Sequence, residues 1–167
     1  MAAAKGAVLA LLSASYLRRD HVAVVAFEGE RATVLLPPTP SVDRAREALR
    51  ILPIGGATPF AHGLLVAWNL IRAARLRDPG LSPLLVVLSD GEANVPLGRC
   101  RSLEEELCVL GARIREDRVS AVLVDTTPGY VRSRAMKRLA AAMGAPCHHL
   151  CKPGASGLLE VLRPMFR

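Results

Sequence analysis

Residues 84–94 read LLVVLSDGEAN, and this stretch decides the fold. Its first five side chains are all apolar, which is typical of a parallel strand buried on both faces. Asp90 and Gly91 then favour a turn at the end of that strand. Ligands of open α/β sheets bind beyond the carboxyl ends of the strands, so Asp90 is the first candidate for a binding residue.

Segments with strand and helix patterns alternate on both sides of this stretch. Residues 21–27 and 32–36 predict a hairpin that stops at Pro37 and Pro38. Apolar periodicity predicts further elements, with helices over 42–52, 60–77, 102–117, 131–143 and 155–166 and strands over 120–124 and 147–150. This order predicts one α/β domain with a mainly parallel sheet.

The composition supports a packed core and excludes several classes of protein. The chain has 167 residues, of which 51% are hydrophobic, so disorder is excluded as its main state. Aromatic residues make up only 4%, which argues against base-stacking surfaces for single-stranded nucleic acid. The net charge of +7 is spread over predicted helices, which indicates solvated faces and no nucleic-acid or membrane partner. The densest group could meet an acidic partner and comprises Arg132, Arg134, Lys137 and Arg138.

Two local patterns leave alternatives open. Strand alternation would place Cys147, His149 and Cys151 on one side, as in a zinc site, although such residues are more often ordinary buried or edge residues. The four cysteines do not indicate a disulfide framework. Residues 1–15 resemble a short secretory signal, but Val8, Leu11, Leu12, Ser15 and Tyr16 follow helical spacing and also predict an amphipathic helix.

Three oxygen-rich loops could carry chemistry: residues 89–94, 125–127 and 55–59. Magnesium prefers oxygen ligands and keeps several waters. Thr58 and Pro59 are also explained as the N-cap and first residue of the next helix. Nucleotide-binding, serine-hydrolase and zinc-protease motifs are absent from the sequence.

Five segments, taken in order, resemble a von Willebrand factor A (integrin I-type) domain. They are residues 2–9 (AAAKGAVL), 18–27 (RRDHVAVVAF), 35–39 (LLPPT), 52–59 (LPIGGATP) and 84–94. Within that superfamily the chain is most similar to the C-terminal domain of the magnesium chelatase D subunit, ahead of the related cobalt chelatase. The resemblance implies a three-layer, Rossmann-like sheet with helices on both faces.

The resemblance also implies a metal-ion-dependent adhesion site whose magnesium bridges to a carboxylate of a protein partner. By position, Thr58 and Asp90 match two of the family's ligands. The family's D-x-S-x-S loop is not in the sequence, so magnesium binding is expected to be weak or lost. The strand before that loop is also missing, which makes residues 1–167 an N-terminally incomplete domain. Exposed edges of the strands beside the gap could then cause self-association.

The resemblance therefore predicts a non-catalytic, cytoplasmic interaction module. In the family, the D subunit helps a complex to insert magnesium into protoporphyrin at the expense of ATP. The rival hypotheses are a small metal-dependent enzyme using Asp90, Asp125 and His62, and a secreted adhesion-type domain. No serine or cysteine nucleophile stands at a motif spacing that would support the enzyme hypothesis. The secreted domain would require residues 1–15 to be a signal peptide.

Overall fold

The computed structural model describes residues 20–41, 43–44, 47, 58–90, 95–97, 102–127, 129, 132–150, 157 and 160. The elements within them are β1 (Val22–Glu28), β2 (Arg31–Thr39), α1 (Phe60–Arg77), β3 (Leu84–Ser89), α2 (Leu103–Glu116), β4 (Ser120–Asp125), α3 (Arg134–Met143) and β5 (Cys147–His149). The helix predicted near the N-terminus lies outside the described residues. Of the helices predicted over 42–52 and 155–166, only residues 43, 44, 47, 157 and 160 are described, and all five are helical.

The strands form two sheets. β3, β4 and β5 are parallel in that order, with Leu84 opposite Ser120 and Ser89 opposite Asp125. β1 and β2 form a separate antiparallel hairpin. No ladder hydrogen bond joins the two sheets in the part of the chain that the structure describes. In the described residues, no strand is hydrogen-bonded to both β1 and β3, which is why the two sheets are separate.

The predicted end of β2 is wrong, because the strand continues through Pro37 and Pro38 to Thr39. Leu36 pairs with Val24 and Thr39 pairs with Val22, so two prolines face one residue of β1 across an irregular step in the register. Proline lacks the N–H that a central strand needs, but it is tolerated in edge strands and at bulges. The prediction treated the two prolines as the end of the strand.

A single apolar cluster joins all three helices to the parallel sheet. α1 contributes Phe60, Leu64 and Trp68, whereas β3 and β4 contribute Val87 and Leu123. The cluster is completed by Leu107, Leu110 and Ile114 of α2 and by Met136, Leu139, Ala140 and Met143 of α3. Val122 and Val124 alternate with Leu123 along β4, and both are completely buried. Both faces of β4 are therefore covered, as the predicted layered α/β fold requires.

The ends of the helices show why these segments are helical. Ser102 and Glu105 form a capping box at the start of α2, with the Ser102 hydroxyl accepting from the Glu105 N–H at 3.3 Å. Helix α1 begins as predicted at Phe60, but Pro59 occupies its N-cap position. The expected N-cap position of Thr58 is therefore wrong by one residue. The cap of α2 follows a sequence signature, whereas proline at the cap of α1 has no side-chain acceptor.

Candidate functional site

The loops that follow β3 and β4 are hydrogen-bonded to each other at the carboxyl edge of the parallel sheet. The Thr126 N–H donates to the Ser89 carbonyl at 2.9 Å. The Thr127 hydroxyl lies 2.8 Å from the Asp90 carbonyl, to which it can donate. Ser89 is paired with Asp125 in the register of the sheet, so both strands end at the same level. Asp90 is thus held by its backbone next to the loop after β4.

Asp125 is the buried acceptor of this edge. Its side chain is only 1% exposed. One carboxylate oxygen, Oδ1, accepts the Thr127 N–H at 3.0 Å and lies 2.5 Å from the Thr127 hydroxyl, and Oδ2 accepts the Ser133 N–H at 2.7 Å. A buried carboxylate surrounded by such donors has its desolvation offset by hydrogen bonds. This carboxylate therefore organises the loop, which does not favour the predicted catalytic use of Asp125.

Ser133 links this network to the third helix. Its hydroxyl accepts the Met136 N–H at 3.3 Å, and its own N–H donates to Asp125. Helix α3 therefore begins at Arg134, later than the predicted start at residue 131. An apolar pattern alone does not show where a cap lies. The signals available in the sequence were a serine directly before the helix and an aspartate two residues before Thr127, which is the spacing of an Asx turn.

Two contacts show how α1, the helix that follows Thr58, lies against the strands. The ring of Phe60 stacks on that of Phe27, with 5.4 Å between centroids, so the start of α1 lies against the end of β1. The end of α1 contacts the turn before β4, because Arg75 donates to the Asp117 carbonyl at 2.5 Å. Helix α1 therefore runs from the end of β1 to the amino edge of the parallel sheet. Thr58 directly precedes the N-cap Pro59, at the end of the helix that contacts β1, and its place beside Asp90 stays a prediction.

His62 is engaged elsewhere. Its Nδ1 accepts the Ala32 N–H at 2.8 Å, which ties the first turn of α1 to the β1–β2 hairpin. Nδ1 must therefore be unprotonated in this arrangement. The enzyme hypothesis rested on Asp90 and Asp125, with His62 only as an optional third member. The contact with Ala32 gives His62 a structural role.

The suspected zinc ligands have other surroundings. Cys147 packs against the apolar cluster, and Nε2 of His149 lies 3.0 Å from the Thr127 carbonyl. Burial raises the pKa of the Cys147 thiol, the charge of Asp125 raises it further, and Arg132 and Lys137 oppose these effects. Cys151 lies outside the described residues. Within those residues, no group of three or more His, Cys, Asp or Glu side chains could hold a metal ion.

The donor chemistry fits magnesium only in part. Asp90 offers a carboxylate and Thr58 a hydroxyl, and oxygen atoms are the ligands that magnesium prefers. The Asp125 carboxylate already accepts hydrogen bonds from Thr127 and Ser133. Two protein ligands leave most of an octahedral shell to water, so these residues suit a weakly held, hydrated ion.

A family model and known proteins match this chain. The model of the von Willebrand factor type A domain matches residues 1–92. The Magnesium-chelatase 67 kDa subunit of Chlorobaculum tepidum is 36% identical over 96% of this chain and 27% of its own length. The Magnesium-chelatase 60 kDa subunit of Cereibacter sphaeroides is 40% identical over 95% of this chain and 28% of its own length. The chain thus spans about a quarter of the length of these relatives.

The fold agrees with that match. The solved SpRpn10 VWA domain superposes with a TM-score of 0.66, covering 90% of this chain and 79% of that domain at 13% identity. None of the helices in the described part of the chain is long and apolar enough to cross a membrane. Because the family model covers more than half of the sequence, the chain belongs to the von Willebrand factor type A domain family.

Proposed function

We propose that this chain is a non-catalytic interaction module of a magnesium-chelatase type of assembly, working in the cytoplasm. Its contact surface is the carboxyl edge of the parallel sheet, where Asp90 and Thr58 would hold a hydrated magnesium ion. Bound magnesium supplies a coordination position that a carboxylate of a partner protein can fill. The insertion of magnesium into protoporphyrin would belong to the whole complex.

The observation that carries this proposal is the contrast between the two aspartates at that edge. Asp125 is buried and surrounded by the donors of its own loop. Asp90 is half-buried, and the Thr127 hydroxyl lies 2.8 Å from its backbone carbonyl. The Thr127 contact therefore fixes the position of the Asp90 backbone at an edge that solvent can reach. This arrangement supports binding at Asp90 better than the acid–base chemistry of the enzyme hypothesis.

Magnesium titration followed by calorimetry tests the metal part of the proposal. We expect Asp90→Asn to weaken binding by about tenfold or more, equivalent to about 1.4 kcal/mol. Thr58→Val removes the hydroxyl and should weaken binding in the same direction. Asp78→Asn is the matched control, because Asp78 is exposed in the turn after α1, at the other end of that helix. Equal magnesium binding by Asp90→Asn and the unaltered chain would contradict the proposed site.

Co-purification with the other subunits of a magnesium chelatase tests the partner. We expect the chain to bind them in magnesium, and Asp90→Asn or EDTA to reduce that binding while Asp78→Asn does not. An acidic residue of the partner should be required as well, since the proposed bridge ends on a carboxylate. If neither EDTA nor Asp90→Asn reduces the binding of the other subunits, a metal bridge is disproved.

A further inference from the structure

The amino edge of the parallel sheet brings two helix ends together through one arginine. Arg75, in the last turn of α1, donates to the carbonyl of Asp117 at 2.5 Å and to that of Arg118 at 3.1 Å. Those two residues form the turn that follows α2. The guanidinium of Arg75 thus satisfies carbonyl groups at the C-terminal end of α2, where a positive charge is favourable.

A second arginine at this edge is held in place by its neighbours. The Cζ atom of Arg72 lies 5.2 Å from the centroid of the Trp68 ring, and its Nε lies 3.9 Å from Oδ2 of Asp117. The same Asp117 oxygen accepts the Trp68 indole N–H at 2.7 Å. The Arg72 side chain nevertheless keeps 60% of its surface exposed. An aromatic face and a carboxylate therefore orient a guanidinium that solvent can still reach.

Leu76 is the apolar centre of this surface. It lies one helical turn beyond Arg72, so the two side chains share one face of α1. Its exposed fraction is 86%, the largest among the exposed large hydrophobic residues of the described chain. An isolated exposed leucine is ordinary, but this one lies beside an ordered arginine. We call Arg72, Arg75, Leu76 and Arg118 the arginine surface.

The charges around the arginine surface are unbalanced. The last turns of α1 and α2 carry four arginines, Arg75, Arg77, Arg113 and Arg115, against one carboxylate, Glu116. Asp117 is already bound by Trp68 and Arg72, and Asp78 accepts the N–H of Gly80 in its own turn. Within the described segments, no ion pair involves Arg118. The guanidinium of Arg118 can thus donate hydrogen bonds to a carboxylate of another molecule.

A groove opens at this edge, with a lining that begins two residues along the chain from Arg118. Its volume is about 380 Å³, and it is lined by Ser82, Pro83, Leu84, Ser120 and Ala121. These residues begin β3 and β4 or directly precede them, so the groove lies at the same edge as the arginine surface. Its lining combines hydroxyl groups with apolar side chains. Such a lining can take a side chain or a short stretch of polypeptide.

We propose that the arginine surface and the adjoining groove dock an acidic polypeptide segment that also presents leucine side chains. Its carboxylates pair with Arg72 and Arg118, and its apolar side chain covers Leu76. The surface lies at the opposite edge from Asp90, so docking here is independent of magnesium. A phosphate backbone would leave Leu76 uncovered, and one leucine is too small an anchor for a membrane, which together favour protein.

Fluorescence anisotropy with the full 167-residue chain tests this proposal. The probe is a fluorescein-labelled peptide of glutamates around two central leucines, and a second peptide has serines in place of the leucines. The test variants are Arg72→Gln combined with Arg118→Asn, and Leu76→Ser. Asparagine is chosen because Arg118 has a positive φ of 53°, which asparagine tolerates. The matched control is Arg31→Gln, which removes an exposed arginine from the β1–β2 hairpin.

We expect the double arginine variant to weaken binding by about tenfold or more, and Leu76→Ser by about threefold. Arg31→Gln should change binding less than about twofold, and EDTA should have no effect. Thermal unfolding by circular dichroism checks that each variant is folded. Leu76→Ser keeps the test decisive if the double variant unfolds, because Leu76 is almost fully exposed.

Four results would overturn the proposal. Equal loss with Arg31→Gln would mean that binding depends on net charge alone. Equal binding of the serine peptide, or no effect of Leu76→Ser, would remove the apolar contact. Tighter, Leu76-independent binding of a single-stranded oligonucleotide or of phosphatidylglycerol vesicles would identify a phosphate surface. Loss of peptide binding in EDTA would move the interaction to the Asp90 edge.

Discussion

The ring of Phe27 lies directly over Gly63, so that a Cβ added at Gly63 would be 2.6 Å from Cδ1 of Phe27. This close approach lets α1 pack against the end of β1. The neighbouring stack of Phe27 on Phe60 is inclined by only 15°, so the phenylalanine ring is confined on two sides. Gly63 is therefore required by packing, although glycine is a poor residue for the interior of a helix.

We expect Gly63→Ala to destabilise the protein by about 1 kcal/mol. Overpacking costs about 1–3 kcal/mol, and the better helix propensity of alanine offsets about 1 kcal/mol of that. Urea unfolding measures the difference. In a Phe27→Leu background the ring is gone, and Gly63→Ala should then be neutral or stabilising. The same loss in both backgrounds would show that Phe27 is not the cause.

Asp125→Asn tests the role of the buried carboxylate. The amide puts an NH₂ group where one oxygen accepts a backbone N–H, so we expect the free energy of unfolding to fall by about 2–3 kcal/mol. Chemical denaturation measures the change. Asp78→Asn is the control, because Asp78 is exposed and its carboxylate accepts only the Gly80 N–H among the hydrogen bonds described. Unchanged stability of Asp125→Asn would contradict a structural role for the Asp125 network.

The structural role of His62 can be tested by removing or replacing the hydrogen-bond acceptor that its Nδ1 supplies. In His62→Asn the Oδ1 atom can take the place of Nδ1 and accept the Ala32 N–H, whereas His62→Leu removes the acceptor. We expect the leucine variant to lose about 1 kcal/mol of stability and the asparagine variant to lose less. Hydrogen exchange of the Ala32 amide should become faster only in the leucine variant. Equal exchange in both variants would show that the hydrogen bond does not protect this amide.

The Cys147 thiol should react slowly. Burial and the charge of Asp125 raise its pKa above the ordinary 9.0, so little thiolate is present at pH 8. Alkylation by iodoacetamide, followed by peptide mapping, should be slower at Cys147 than in the unfolded chain. Because protonation favours the folded state here, this contribution to stability is complete below pH 9 and is lost as the pH rises further. Rapid alkylation at neutral pH would contradict this assignment.

The unpaired edges of β1 and β3 can be tested by supplying a strand. In the described residues, β1 pairs only with β2, and β3 pairs only with β4. We expect the isolated chain to self-associate, and a strand added before residue 1 or given as a peptide to yield a monomer. That form should unfold at a higher temperature and bind magnesium more tightly. Analytical ultracentrifugation and calorimetry measure both effects. If the isolated chain is a monomer, and the added strand changes neither its unfolding temperature nor its magnesium affinity, the expectation of a missing strand beside β1 and β3 is wrong.

Elements whose boundaries are set by neighbouring residues could be predicted from the sequence, whereas elements that depend on distant contacts could not. The capping box of Ser102 and Glu105 and the apolar run from Leu84 to Leu88 are local, and both elements were predicted nearly to the residue. Extension of β2 through Pro37 depends on that strand being at an edge, which no local pattern contains.

The site shows the same division. Topology alone predicts that Asp90 and Thr58 share one edge, because each adjoins an element that ends or begins there, and this stays a prediction. The burial of Asp125 and its bond to Ser133 depend on how the chain returns eight residues later, which the sequence does not specify. The hydrogen bond of His62 could not be predicted for the same reason, since its partner Ala32 is thirty residues away.

Pro37 and Pro38 also limit how chains of this protein can come together. An outer strand with a row of N–H groups offers a template on which copies can stack without end. At these two positions β2 has no N–H to offer, and the irregular step in its register bends the template further. A strand from another chain therefore finds no row of donors along this stretch of β2. This part of β2 cannot serve as the template on which a fibre grows.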